Sequence, residues 1–139
     1  MAEKAPPPDS PPQLSEIEDV SREFQVLAKT VSDKLDAFQA WFQSLPGKLE
    51  VSVSLPETAN RHHHLALERV KDGWELLFSS AYDESRYPVA KASLANKCII
   101  VSMLPKLLKE LYEEQREAVA QLRMATDVLS KLPSAKGGK

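Results

Sequence analysis

The spacing of apolar residues changes twice along the chain, and those changes mark out five elements. From Ile17 onward, apolar residues fall at Val20, Phe24, Leu27, Val31, Leu35, Phe38, Phe42 and Leu45. Steps of three and four keep all of them on one stripe of a helix. Ser15-Glu16-Ile17-Glu18 reads as a capping box, with the Ser15 hydroxyl accepting from the N3 amide and Glu18 reaching back. Glu16, Glu18 and Asp19 also place negative charge at the positive end of the helix dipole. Trp41 widens the stripe near its end, and Pro46-Gly47 stops it. The pattern predicts a first helix over about 15–44, roughly 45 Å long at 1.5 Å per residue.

The period then becomes two. Leu49, Val51, Val53 and Leu55 alternate with Glu50, Ser52 and Ser54, as in a half-buried strand. A loop over Pro56 to Asn60 leads into two more alternating runs, which meet at Asp72-Gly73. Asp-Gly between alternating runs signals a two-residue hairpin with both residues at positive φ. That register would pair Lys71 with Trp74, Arg69 with Leu76, Leu67 with Phe78 and Leu65 with Ser80. Leu65, Leu67, Trp74, Leu76 and Phe78 then share one face. The segment from Tyr82 to Lys91, with Pro88 inside it, reads as a polar connection.

The helical period returns for a last helix over about 93–132, with Ser93 as its cap. Val101, Leu104, Leu108, Leu111, Gln115, Ala118, Leu122, Ala125, Leu129 and Leu132 alternate in steps of three and four, a heptad seam. Leu107, Tyr112, Val119 and Val128 flank it, so the apolar face is wider than a two-stranded coiled coil needs. Pro105 either kinks this helix or starts a second segment. The predicted fold is therefore α+β, with a long N-terminal helix, a three-stranded antiparallel meander and a long C-terminal helix (α-β-β-β-α). Both helices lie on one face of the sheet.

Composition sets the limits. A chain of 139 residues that is 42% hydrophobic and 27% charged suits one domain with a buried core, placed at 14–132. The Pro-rich segment 1–13 and the tail 133–139 are too polar to order themselves. Pro8-Asp9-Ser10-Pro11 matches a polyproline ligand, but any proline-rich tail produces that spacing. A net charge of −2 supplies no long-range pull toward nucleic acid or anionic lipid. No run of roughly 18 apolar residues and no signal peptide is present, and a single cysteine, Cys98, fits a reducing compartment. The expectation is a soluble, cytoplasmic protein.

Few residues suggest chemistry. His62-His63-His64 would place His62 and His64 on one face of a strand, a pair able to serve a zinc ion. A third ligand is needed, and Glu57, Glu68 and Cys98 are the candidates. Trp74 and Phe78 alternate as stacking aromatics do, but they share their face with leucines and look like core. Cys98 sits in an apolar run with Ile99, Ile100 and Val101, which reads as a small buried hydrophobe. The four glycines are a helix stop, a turn and a tail, so no phosphate-binding loop exists. Nothing calls for a cofactor or a catalytic residue.

The functional reading rests on length. A helix of about 40 residues runs to roughly 60 Å, whereas a seven-residue strand spans about 23 Å. A sheet that short cannot cover the whole stripe, and uncovered seams of this extent are normally interfaces. The expectation is a non-catalytic interaction or adaptor module that self-associates, as a homodimer, or captures another protein. Its interface residues would be Leu104, Leu108, Leu111, Gln115, Ala118, Leu122, Ala125 and Leu129. The alternatives are a metal-dependent enzyme or sensor centred on His62 and His64, and a nucleic-acid-binding accessory protein. The latter would use Lys106, Lys109, Arg116, Arg123 and Lys131.

Overall fold

A computed structural model describes residues 10–58, 60–71, 73–83 and 85–133. Most of both expected tails, 1–9 and 134–139, lies outside the described residues. The chain forms helix α1 (Leu14–Ser44), strands β1 (Val51–Thr58), β2 (Arg61–Val70), β3 (Gly73–Ser79) and β4 (Arg86–Pro88), and helix α2 (Leu94–Ser130). A single 3-10 turn, Val89–Lys91, joins β4 to α2. The class is α+β, as the periodicities require.

The sheet is an antiparallel meander in the order β1-β2-β3-β4, with four strands rather than three. Strand β4 pairs Arg86, Tyr87 and Pro88 with Ser79, Phe78 and Leu77. A three-residue strand inside a polar segment has no period to detect, and Pro88 argues against a strand. The edge position reconciles them, because there a strand needs no further amide donors. Likewise β1 runs three residues past Leu55, through Pro56, with a register irregularity before Thr58.

The hairpin register also differs from the expected one. Val70 pairs with Gly73, Arg69 with Trp74, Leu67 with Leu76 and Leu65 with Phe78. Gly73 is thus the first residue of β3 rather than part of the turn, and Asp72, the other half of the expected turn, lies outside the described residues. Among the described residues only Gly47 has positive φ, at 64°. The shift is two residues, so the inward face is unchanged. Leu65, Leu67, Leu76 and Phe78 are all fully buried, each burial contributing about 1.5–3 kcal/mol.

Both helices cover that face and run in the same direction. The Lys97 ammonium donates to the Ser32 hydroxyl at 3.0 Å near the start of α2. Further along, the Gln115 amide donates to the Gly47 carbonyl at 3.2 Å, just past the end of α1. From α1 the core receives Leu35 and Phe42, and from α2 Ile100, Met103, Leu107 and Leu111. The first three core residues of α2, Ile100, Met103 and Leu107, each lie one position before the predicted seam residues Val101, Leu104 and Leu108, and the two columns coincide at Leu111. Val101 is 43% exposed, while Leu104 is a partly buried neighbour of the core. Helix α2 continues through Pro105 as one element.

The caps explain the boundaries. At the start of α1 the Gln13 amide donates to the Glu16 carboxylate at 2.7 Å, so the helix starts one residue before Ser15. Ser93 caps α2 as expected, its hydroxyl accepting from the Asn96 amide at 3.2 Å. Leu45 closes α1, and Gly47 turns the chain toward β1.

Candidate self-association surface

The residues expected at the interface divide into two groups along α2. Leu111 is buried, and Leu104, Leu108, Gln115 and Ala118 are half-buried. Beyond Ala118 the helix runs past the sheet, and every described residue is exposed. Leu122 and Leu129 are 66% and 67% exposed, and Ala125 is exposed between them. Val119, Val128 and Leu132 widen the bare surface.

Helix α1 repeats this arrangement at the other end. Leu35 and Phe42 are buried, with Val31, Phe38 and Leu45 packed against them. Upstream, Leu14, Ile17, Val20, Phe24 and Leu27 are all exposed. Because the helices run parallel, the N-terminal arm of α1 leaves one end of the sheet and the C-terminal arm of α2 leaves the other. Each arm extends its own core stripe, so each carries a bare apolar face of about two heptads.

The three histidines separate. His62 and His64 share the open face of the sheet, their ring centroids 6.2 Å apart. Among the described residues no three side chains of the His, Cys, Asp and Glu type come together closely enough to hold a metal ion. Of the chain-near candidates, Glu68 pairs with Arg86 across the sheet. Glu57 is engaged by Tyr82, whose hydroxyl donates to it at 2.7 Å.

His63 falls on the inward side of the strand with Leu65 and Leu67 and is 2% exposed. Its ring stacks on Phe78 at 5.9 Å, and its Nδ1 accepts from the Ala81 amide at 2.9 Å. Nε2 therefore carries the ring proton in the neutral form and faces the Glu57 carboxylate 3.8 Å away. Hydrogen bonding to Glu57 raises the Tyr82 phenol above its usual ionisation range, with desolvation adding in the same direction. Two bonds from Ser85, the backbone N–H first and then the hydroxyl, hold the Asp83 carboxyl below its usual range. This cluster ties the β3–β4 connection to β1 and β2.

The remaining candidates are plainly placed. Phe78 is fully buried, and Trp74 packs edge-on against Phe42 at 6.1 Å. Cys98 is exposed on α2, not buried, because the core column of that run passes through Ile100. A shallow cleft lined by Glu50, Glu68, Glu110 and Glu114 has its carboxylates partly engaged, with Glu50 accepting from the Arg69 amide at 3.0 Å. Of the basic residues on α2, Lys106 donates to the Ser54 carbonyl at 3.2 Å and Lys131 pairs with Asp127 at 3.1 Å. Arg116 lies over the Tyr112 ring at 5.8 Å. No helix among the described residues is long and apolar enough to cross a membrane. Comparison with protein-family models, curated proteins and solved structures returned no match.

Proposed function

We propose that this protein is a non-catalytic protein–protein interaction module that self-associates, with the homodimer as its smallest assembly. The observation that carries the reading is the pair of bare helix arms. An amphipathic stripe that has lost its sheet still presents Leu122 and Leu129 at one end and Ile17 and Phe24 at the other. Contiguous apolar surface on a helix is normally covered by a partner. The exposed single thiol of Cys98 suits a reducing setting, and we place the protein in the cytoplasm.

Solution mass is the direct test. Light scattering at micromolar concentration should give a mass above the 15.5 kDa chain, falling toward it on dilution. A mass of 15.5 kDa at every concentration would remove self-association as the function.

A further inference from the structure

We infer that copies of this chain join head to tail, the N-terminal arm of α1 from one copy lying in parallel against the C-terminal arm of α2 from the next. The inference rests on the self-association reading above and adds which surfaces meet and what assembly results.

Direction comes first. In one chain α1 and α2 run parallel, since Ser32 meets Lys97 and Gly47 meets Gln115. The α2 arm points away from its own body, and the α1 arm runs from its free tip back into its own body. When these two arms overlap between copies, their chains run the same way. Heptad seams of equal period pair in that orientation.

Length agrees with direction. With Phe24 opposite Leu122, seven-residue steps set Ile17 opposite Gln115 and Val31 opposite Leu129. Gln115 and Val31 are each the point at which an arm enters its own covered core: Gln115 is half-buried against Gly47, and Val31 packs on the α1 core. The overlap, about 21 Å at 1.5 Å per residue, therefore fills both arms as the two bodies meet.

Side-chain size also matches. The α1 arm carries bulky Ile17, Val20, Phe24 and Leu27, whereas the α2 arm alternates Ala118, Leu122, Ala125 and Leu129. A knob enters a hole made by four residues of the facing helix. Ala118 and Ala125 on either side of Leu122 widen that hole enough for Phe24. Within one chain this contact is impossible, because Phe24 lies about two turns before Ser32, beyond the start of α2.

Charge points the same way. Residues 14–30 hold Glu16, Glu18, Asp19 and Glu23 against Arg22 and Lys29, four negative and two positive, a net of −2. Residues 118–132 hold Arg123 and Lys131 against Asp127, two positive and one negative, a net of +1. Unlike arms attract, and a pair of α1 arms would repel. Each joined pair keeps one unused arm of each kind, one on each copy, so the contact is heterologous and the assembly open-ended.

The test uses two full-length single variants, Phe24→Asp and Leu122→Asp, both at exposed positions (62% and 66%). Wild type should grow beyond a dimer with concentration. Each variant alone should sediment as a 15.5 kDa monomer with an unchanged circular dichroism spectrum, because every joint needs one intact arm of each kind. Mixed in equal amounts, they should form a species of twice that mass and nothing larger, since one intact joint remains possible and both outer arms are blocked. Leu27→Asp with Leu129→Asp should repeat the result. Retained assembly in Phe24→Asp alone, or a mixture that stays monomeric while wild type associates, overturns head-to-tail pairing but leaves self-association standing. A monomeric wild type overturns both.

Discussion

Leu111 is 3% exposed, and Leu129, about five turns further along the same column of α2, is 67% exposed. Helix α1 repeats the contrast in reverse, with Phe42 at 0% and Phe24, about five turns earlier, at 62%. Residue type and spacing are alike in the covered and bare regions. What differs is whether the sheet lies beneath them. Hydrophobic periodicity thus specifies which face of a helix seeks cover, while the length of the sheet decides how much of it one chain can cover.

The largest expected effect comes from exchanging equivalent truncations between the two regions. Leu107 is fully buried in the middle of α2, and its replacement by alanine should cost about 2–5 kcal/mol in denaturant melts, since a cavity remains among packed neighbours. Leu129→Ala, measured at a dilution where the protein is monomeric, should change stability by less than about 0.5 kcal/mol. Its effect should appear instead as loss of mass at high concentration. Equal losses of monomer stability from the two would mean that the α2 arm is covered within its own chain.

The same contrast explains how much could be read in advance. Both helices, the three longer strands and the identity of the inward face follow from period alone, because a stripe or an alternation is a local property. The core column of α2 was harder. Cys98 to Val101 is continuously apolar, so Val101 and Ile100 compete for the inward position, and only packing against the strands selects Ile100. Leu107, read as a flank, is at the centre of the core for the same reason. Among the histidines, attention to the outward pair obscured His63, whose inward aim is the other half of the same alternation. The Asp-Gly signal placed the hairpin turn one step late. A dipeptide preference is worth less than the cross-strand pairing of Leu65 with Phe78 and Leu67 with Leu76.

Where the cover ends is set by the chain's turns, and two glycines distinguish a required turn from an incidental one. Gly47 has φ of 64° at the end of the sheet from which the α2 arm departs, and a Cβ there would meet no neighbouring atom within 4 Å. Gly47→Ala should therefore cost about 1–2 kcal/mol through backbone strain alone. Gly73 is in ordinary strand conformation with equally open surroundings. Gly73→Ala should be neutral or stabilising by up to about 1 kcal/mol, because glycine in a strand gives up more conformational freedom on folding. Paired denaturation curves decide the matter. A Gly73→Ala loss as large as that of Gly47→Ala would restore the Asp72-Gly73 turn and its register.

The smallest effect is expected at the opposite end of the cover, where the α1 arm departs. Strand β1 runs antiparallel to α2, with Glu50 beside Glu114 and Ser54 beside Lys106, so Glu57 lies toward the start of α2. There Glu57 accepts the Tyr82 hydroxyl at 2.7 Å and faces the buried ring of His63. The bond holds the phenol in its neutral form, raising its ionisation range in the folded protein. A phenol raised by folding stabilises the fold below its unfolded value near pH 10, and that stabilisation is lost as pH rises through the higher folded value. Tyr82 is exposed, so the change in stability should be slight, but phenolate absorbance reads the bond directly. Glu57→Ala should move one tyrosine's ionisation to lower pH, and Tyr82→Phe should remove that transition altogether. An unchanged titration in Glu57→Ala would mean that the bond does not form in solution. Among the described residues, the hydrogen bond from the Ala81 amide to His63 would then be the one that ties the β3–β4 connection to β2.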